Sequence, residues 1–192
     1  IMISGQIDSS LIGTGRGALH EVHDQLEFMK PVTKWADRVL RAEDIPEGIH
    51  EAFRQIKTGR PRPVELEIPP DVLAAEVNID TVEPEEYSRQ SVPTQTLRTV
   101  ADHLASARKP IIWAGGGVNL AGASEELRQV AETLGAPVVL TREGKGSLPD
   151  SHPLAMGYAG QNQGTGPQLM PEADVIFAVG TRFNIPETEE WR

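Results

Sequence analysis

The chain has 192 residues, 39% of them hydrophobic, with 18 Gly, 15 Pro and no cysteine, so disulfides and thiolate metal sites are excluded. Its formal net charge of −10 repels phosphate backbones and argues against nucleic acid as a partner. No apolar run approaches the ~20 residues that span a bilayer, and Ile1-Met2-Ile3 lacks the basic flank of a signal peptide. Together these features predict a cytoplasmic protein that binds no membrane.

The chain opens on an apolar, strand-like piece and closes at Trp191-Arg192 just after another, which predicts that both ends lie within larger domains. Asp44-Ile45-Pro46-Glu47 carries a capping residue, an early Pro and a Glu three positions on, the pattern of a helix start. Ile45, Ile49, Ala52, Phe53 and Ile56 then share one helical face, and Gly59 ends it. Val64 to Ile68 alternates as a strand, and Pro69-Pro70 stops it. Ala74 to Pro93 is acidic, holds two prolines and has no periodicity. It reads as an interdomain linker over residues 76–93.

Beyond the linker, Thr94 is placed to cap a helix bearing Leu97, Val100, Ala101 and Leu104. Pro110–Ala114, Pro137–Leu140 and Asp174–Val179 are short apolar strands, and Leu127, Val130, Ala131 and Leu134 mark a helix that ends at Gly135. Strands this uniformly apolar are buried on both faces, as in a parallel sheet flanked by helices. The fold class expected is therefore α/β, with parallel sheets flanked by helices: a Rossmann-like central domain preceded by part of another α/β domain.

Each of those three strands runs into a polar, glycine-bearing loop: Gly115-Gly116-Gly117, Thr141 to Gly146, and Gly180-Thr181-Arg182. In a parallel sheet these loops share the carboxyl edge, where doubly wound folds bind ligands. Glycine brings backbone N–H groups close, a following helix start adds partial positive charge, and Arg142, Lys145 and Arg182 supply cations. That set suits a diphosphate. Tight turns need the same glycines, and neither a Walker A motif nor a dinucleotide fingerprint is complete, so a purely structural role stays open. His20, Glu21, His23 and Asp24 are adjacent, and on a helix His20 and Asp24 would share a face. They are read as a solvated pair and not as a metal site.

Ser4-Gly5-Gln6, Gly13-Thr14, Ala18 to Glu21, Pro31 to Lys34 and Gly59 to Val72 resemble the second half of the pyrimidine-binding domain of thiamine-diphosphate enzymes of the acetolactate-synthase type. Lys109-Pro110, Gly115 to Gly117, Gly144 to Gly146, His152 to Leu154, Gly157 and Val179 to Phe183 resemble that family's central domain. The resemblance implies residues 1–75 in the pyrimidine-binding domain, 76–93 as linker and 94–192 in the central domain. It implies a homodimer or homotetramer that uses thiamine diphosphate and Mg2+ to decarboxylate or ligate a 2-oxo acid. The activating glutamate and the magnesium-binding segment of that family would lie before residue 1 and after residue 192, so this piece alone is expected to be inactive. Gln6 corresponds to a glutamine near the cofactor. Leu19 and His20 stand where acetolactate synthases carry Phe-Gln, and His20 either acts as acid or base or merely lines the site. Arg60, Gly115, Gly116, Gly117, Thr141 and Arg182 correspond to an accessory site for FAD, or for ADP in relatives. Phe183-Asn184-Ile185-Pro186 and Gly157-Tyr158-Ala159-Gly160 depart from its pattern. The competing reading is a free-standing nucleotide-binding or regulatory module built on the three glycine loops.

Overall fold

The computed structural model describes residues 1–80, 82–87, 91–160 and 165–188. The chain divides into two compact units, Ile1–Ser91 and Val92–Arg192. The expected closing residues Trp191-Arg192, and Thr81 and residues 88–90 of the expected linker, lie outside the described residues.

The first unit contains β1 (Met2–Ser4), α1 (Gln25–Met29), β2 (Trp35–Arg38), α2 (Ile45–Lys57), β3 (Val64–Glu67) and α3 (Pro70–Leu73). Its three strands form a parallel sheet in the order β1-β3-β2. One face of central β3 presents Leu66, which packs with Val39, Ala42, Ile68 and Val72 beneath Ile45 and Ile49 of α2. The expected face of α2 therefore does cover the sheet at Ile45, Ile49 and Ala52, while Phe53 is exposed. Asp44 differs from expectation. It closes a 3-10 turn, Ala42–Asp44, in right-handed helical geometry, and its side chain makes no capping bond. The preceding turn already sets the chain direction there. Gly59, at φ 58°, takes the left-handed conformation after the helix end, where a Cβ would be strained. Residues 75–80, 82–87 and 91–93 carry no regular structure.

The second unit contains α4 (Thr94–Ser106), β4 (Pro110–Ala114), α5 (Gly116–Ala121), α6 (Ser124–Leu134), β5 (Val138–Leu140), β6 (Ala155–Tyr158), α7 (Gly166–Leu169), β7 (Val175–Val179) and α8 (Ile185–Thr188). All four strands run parallel in the order β6-β5-β4-β7. The first strand of the sheet is thus internal, and strand order reverses between β4 and β7, the switch point of a doubly wound fold. Alternate residues bury opposite faces. Ile112, Ala114, Val138 and Leu140 pack against Val118, Leu127 and Ala131. Ile111, Trp113 and Val139 pack on the other side with Leu169 and Met170. This two-sided burial is what the uniformly apolar strands require. Thr94 is the first helical residue of α4 and makes no side-chain cap; Pro93 holds the cap position. The face expected of that helix buries only Leu104, and Leu97 is exposed. Among the described residues no helix is long and apolar enough to cross a membrane.

Candidate functional site

The carboxyl edge of the second sheet brings the three glycine loops together. The N–H of Gly115 donates to the Val179 carbonyl at 2.8 Å, and that of Gly117 donates to the Gly180 carbonyl at 2.9 Å. The N–H of Thr141 donates to the Ala114 carbonyl at 2.9 Å. A Cβ at Gly115 would lie 2.4 Å from the Gly180 oxygen, and one at Gly144 would lie 2.3 Å from the Ala114 oxygen. A Cβ at Gly116 would meet Glu143 at 2.8 Å, and one at Gly117 would meet the Gly180 Cα at 2.6 Å. The room that these glycines create is filled by the neighbouring loops. Asn119 ties the arrangement further, its Nδ2 donating to the carbonyls of Glu143 and Lys145 at 3.2 and 3.1 Å.

The open space lies one strand away, beyond β5 and β6. Thr141, Arg142, Lys145, Asp150, Gly157 and Tyr158 line a cavity of about 350 Å³. Buried Thr141 uses its Oγ1 to accept from the N–H of Gly144 at 3.0 Å. Lys145 pairs with Asp150 on the cavity wall. Arg142 is held through its backbone, whose N–H donates to Oε1 of buried Glu187 at 3.1 Å. Burial pushes the Glu187 carboxyl up, the Arg142 N–H bond and the charges of Arg182 and Arg142 draw it down, and Glu143 adds to the rise. Glu187 had no signal in the sequence, because nothing in Ile185-Pro186-Glu187-Thr188 marks a buried acid. Arg182 is exposed, next to Phe183, which adopts φ 55° and meets Trp113 edge-to-face at 5.4 Å. Asn184, in the segment that departs from the resembled pattern, starts α8 by accepting from the N–H groups of Glu187 and Thr188 at 3.1 Å each.

In the first unit, Gln6 lines a small cavity of about 170 Å³ with Gly13, His23, Asp24 and Arg38. Its Oε1 accepts from the N–H of Ile7 at 2.9 Å. Leu19 is 82% exposed and His20 is exposed at φ 71°, and neither lines that cavity. No helix joins His20 to Asp24, contrary to the shared face considered above: Asp24 caps α1 by accepting from the N–H of Glu27 at 3.0 Å. Glu21 instead organises the loop, its carboxylate accepting from the N–H groups of Gly15 and Ala18 at 3.1 and 2.9 Å. Arg60 sits exposed in the bend after α2, in the first unit.

The profile of the thiamine pyrophosphate enzyme central domain matches residues 97–192, half of the chain. The chain belongs to the thiamine pyrophosphate enzyme family. A probable acetolactate synthase large subunit from Methanocaldococcus jannaschii is 38% identical over 96% of the chain and 32% of its own length. A probable 2-ketoarginine decarboxylase from Pseudomonas aeruginosa is 39% identical over 100% of the chain and 34% of its own. The acetolactate synthase isozyme 3 large subunit of Escherichia coli K12 is 37% identical over 96% and 33%. The chain thus spans about a third of the length of these relatives. Among solved structures, benzoylformate decarboxylase from Polynucleobacter necessarius superposes with a TM-score of 0.81 at 21% identity, covering 93% of the chain and 34% of that structure. At that identity the likeness establishes the α/β fold alone.

Proposed function

We propose that the chain is part of a thiamine-diphosphate-dependent 2-oxo acid carboligase or decarboxylase. In this reading residues 1–75 supply part of the pyrimidine-binding domain and residues 94–192 the central domain, which carries an accessory ADP or FAD. Membership of the thiamine pyrophosphate enzyme family is the observation that carries the reading. Thiamine diphosphate, when bound with Mg2+, supplies the carbon nucleophile and the electron sink that 2-oxo acid decarboxylation needs.

The residues present fit a division of labour. The cavity beside Gln6, about 170 Å³, is smaller than the ~300 Å³ at which ligand pockets begin, so the first unit contributes one wall of a cofactor site. Gln6 and His23 offer polar groups there, while His20, exposed on a left-handed turn outside that cavity, either acts as acid or base toward substrate or serves the turn alone. The cavity beside Thr141 falls within the pocket range, and its Arg142 and Lys145 suit a diphosphate. In this chain Gly115, Gly116 and Gly117 support the accessory site by letting the loops close on one another. Arg182 adds positive charge along the same edge, and Arg60 is assigned to the accessory nucleotide by resemblance only. A homodimer or homotetramer completes the active site in this reading.

The test is to give the product of the complete gene thiamine diphosphate, Mg2+, a 2-oxo acid panel and an aldehyde or second 2-oxo acid as acceptor, and to follow products by mass. Aldehyde or ligated hydroxyketone is expected. A folded protein that binds ADP but yields neither product would put the free-standing nucleotide module in its place.

A further inference from the structure

The loop after β5 is braced by two other elements. From α5, Asn119 Nδ2 donates to the carbonyls of Glu143 and Lys145. Within the loop, Ser147 Oγ donates to the Gly144 carbonyl at 2.7 Å. From α8, Glu187 reaches across 45 residues of chain to Arg142, whose N–H donates to its Oε1 at 3.1 Å. Glu187 is buried, whereas Arg142 is exposed and lines the cavity beside Thr141. A buried carboxyl group thus fixes the backbone from which a cation of the cavity departs.

Burying a carboxyl group is costly unless polar partners meet it. Glu187 sits among the charges of Glu143, Arg182 and Arg142. Its own negative charge opposes an anion at this edge, so what it gives an anion site is position and not field. A guanidinium on a fixed backbone loses less freedom when it clamps a phosphate, and binding tightens accordingly. We infer that Glu187 is a positioning residue of the anion site: it holds the Arg142 backbone so that the guanidinium meets the diphosphate of a bound nucleotide. The inference rests on the nucleotide reading of the cavity beside Thr141 and on no other part of the proposed function.

The complete gene product and its variants are titrated calorimetrically with ADP and with adenosine, which lacks the diphosphate. Glu187→Leu fills the space and removes the acceptor, while Glu187→Gln keeps an acceptor and removes the charge. ADP affinity is expected to fall roughly fivefold or more in Glu187→Leu and to stay at or above the parent's in Glu187→Gln, with adenosine unchanged in both. On an Arg142→Ala background, Glu187→Leu should weaken ADP no further, because the effect passes through Arg142. A residue acting by its charge would instead tighten ADP in both variants. A merely structural residue would weaken adenosine as well, or weaken ADP on the Arg142→Ala background. Any of these results, or unchanged ADP affinity in Glu187→Leu, overturns the inference. Should Glu187→Leu not fold, Glu187→Asp, which keeps the charge and shortens the reach, takes its place: weaker ADP binding is expected, and unchanged binding overturns the inference. A parent protein that binds no ADP overturns the nucleotide reading itself, and this inference with it.

Discussion

The carbonyl oxygen of Gly180 stands 2.4 Å from the point where a Cβ on residue 115 would be built. Real Cβ atoms do not approach a backbone oxygen that closely, so a side chain at residue 115 must push the β4 and β7 loops apart. Both loops are pinned by backbone hydrogen bonds, from Gly115 N–H to Val179 and from Gly117 N–H to Gly180. Gly115→Ala should therefore destabilise the second unit by about 1–3 kcal/mol, the usual cost of overpacking. Urea unfolding measures it. Gly5→Ala, where nothing lies within 4 Å, is the control and should change stability by less than about 0.5 kcal/mol.

Arg142 faces the cavity beside Thr141 while its backbone N–H is held by Glu187. Arg142→Ala keeps that backbone bond and removes only the cation. A charge-assisted hydrogen bond is worth about 1.5–3 kcal/mol, so ADP affinity should fall roughly tenfold or more. Adenosine, which lacks the diphosphate, should bind the variant and the parent equally. Calorimetric titration of both ligands checks this, and equal loss for adenosine would place the diphosphate elsewhere.

Glu65 and Glu125 should titrate on opposite sides of the ordinary carboxylate value. Burial pushes Glu65 up, against the Ser4 hydrogen bond, with Glu67 adding to the rise and Arg38 opposing it. Glu125 is lowered to about 2 by its bond to Arg128 and then by Gln129. A raised acid binds its proton more tightly folded than unfolded, so Glu65 weakens the fold as pH rises through its folded value. A lowered acid does the reverse: the contribution of Glu125 is present above 4.5 and is lost as pH falls toward about 2. The Glu125–Arg128 pair is solvent-exposed, so its share is small and salt-sensitive. Carbon-detected NMR titration of the two carboxyls reads both midpoints.

Tyr87 donates from its hydroxyl to the His50 carbonyl at 2.9 Å, and Glu85 pairs with His50 at 3.3 Å. Lys57 lies over the rings of Phe53 and Tyr87 at 5.9 and 5.7 Å. These contacts hold the irregular segment 82–87 against α2. Tyr87→Phe keeps the ring and removes one hydrogen bond worth about 1 kcal/mol. Limited proteolysis should then cut within residues 79–87 several-fold faster than in the parent, with α2 itself unaffected.

The strands that were legible are those whose residues are apolar on both faces, such as Ile111 to Ala114 and Val138 to Leu140. β2 (Trp35-Ala36-Asp37-Arg38) and β6 (Ala155-Met156-Gly157-Tyr158) were missed because each mixes polar or glycine positions into four residues, and only pairing with a neighbour makes them strands. The alternation of Val64 to Ile68 identified a strand, but not that Glu65 and Glu67 would be buried. That follows from β3 lying between β1 and β2. At the candidate site, the sequence placed three glycine loops on one edge. It could not separate glycines that admit a ligand from glycines that admit each other, since both need the same missing Cβ. Gly115 and Gly144 turn out to serve the loops, and the open cavity is beside Thr141.

The proposed function makes this chain part of a protein that decarboxylates 2-oxo acids with thiamine diphosphate. Release of labelled carbon dioxide from carboxyl-labelled 2-oxo acids by the complete gene product tests it most directly. Release should require added thiamine diphosphate and Mg2+ and disappear when either is withheld. Folded protein that releases none from any 2-oxo acid, or releases the same amount without thiamine diphosphate, would contradict it.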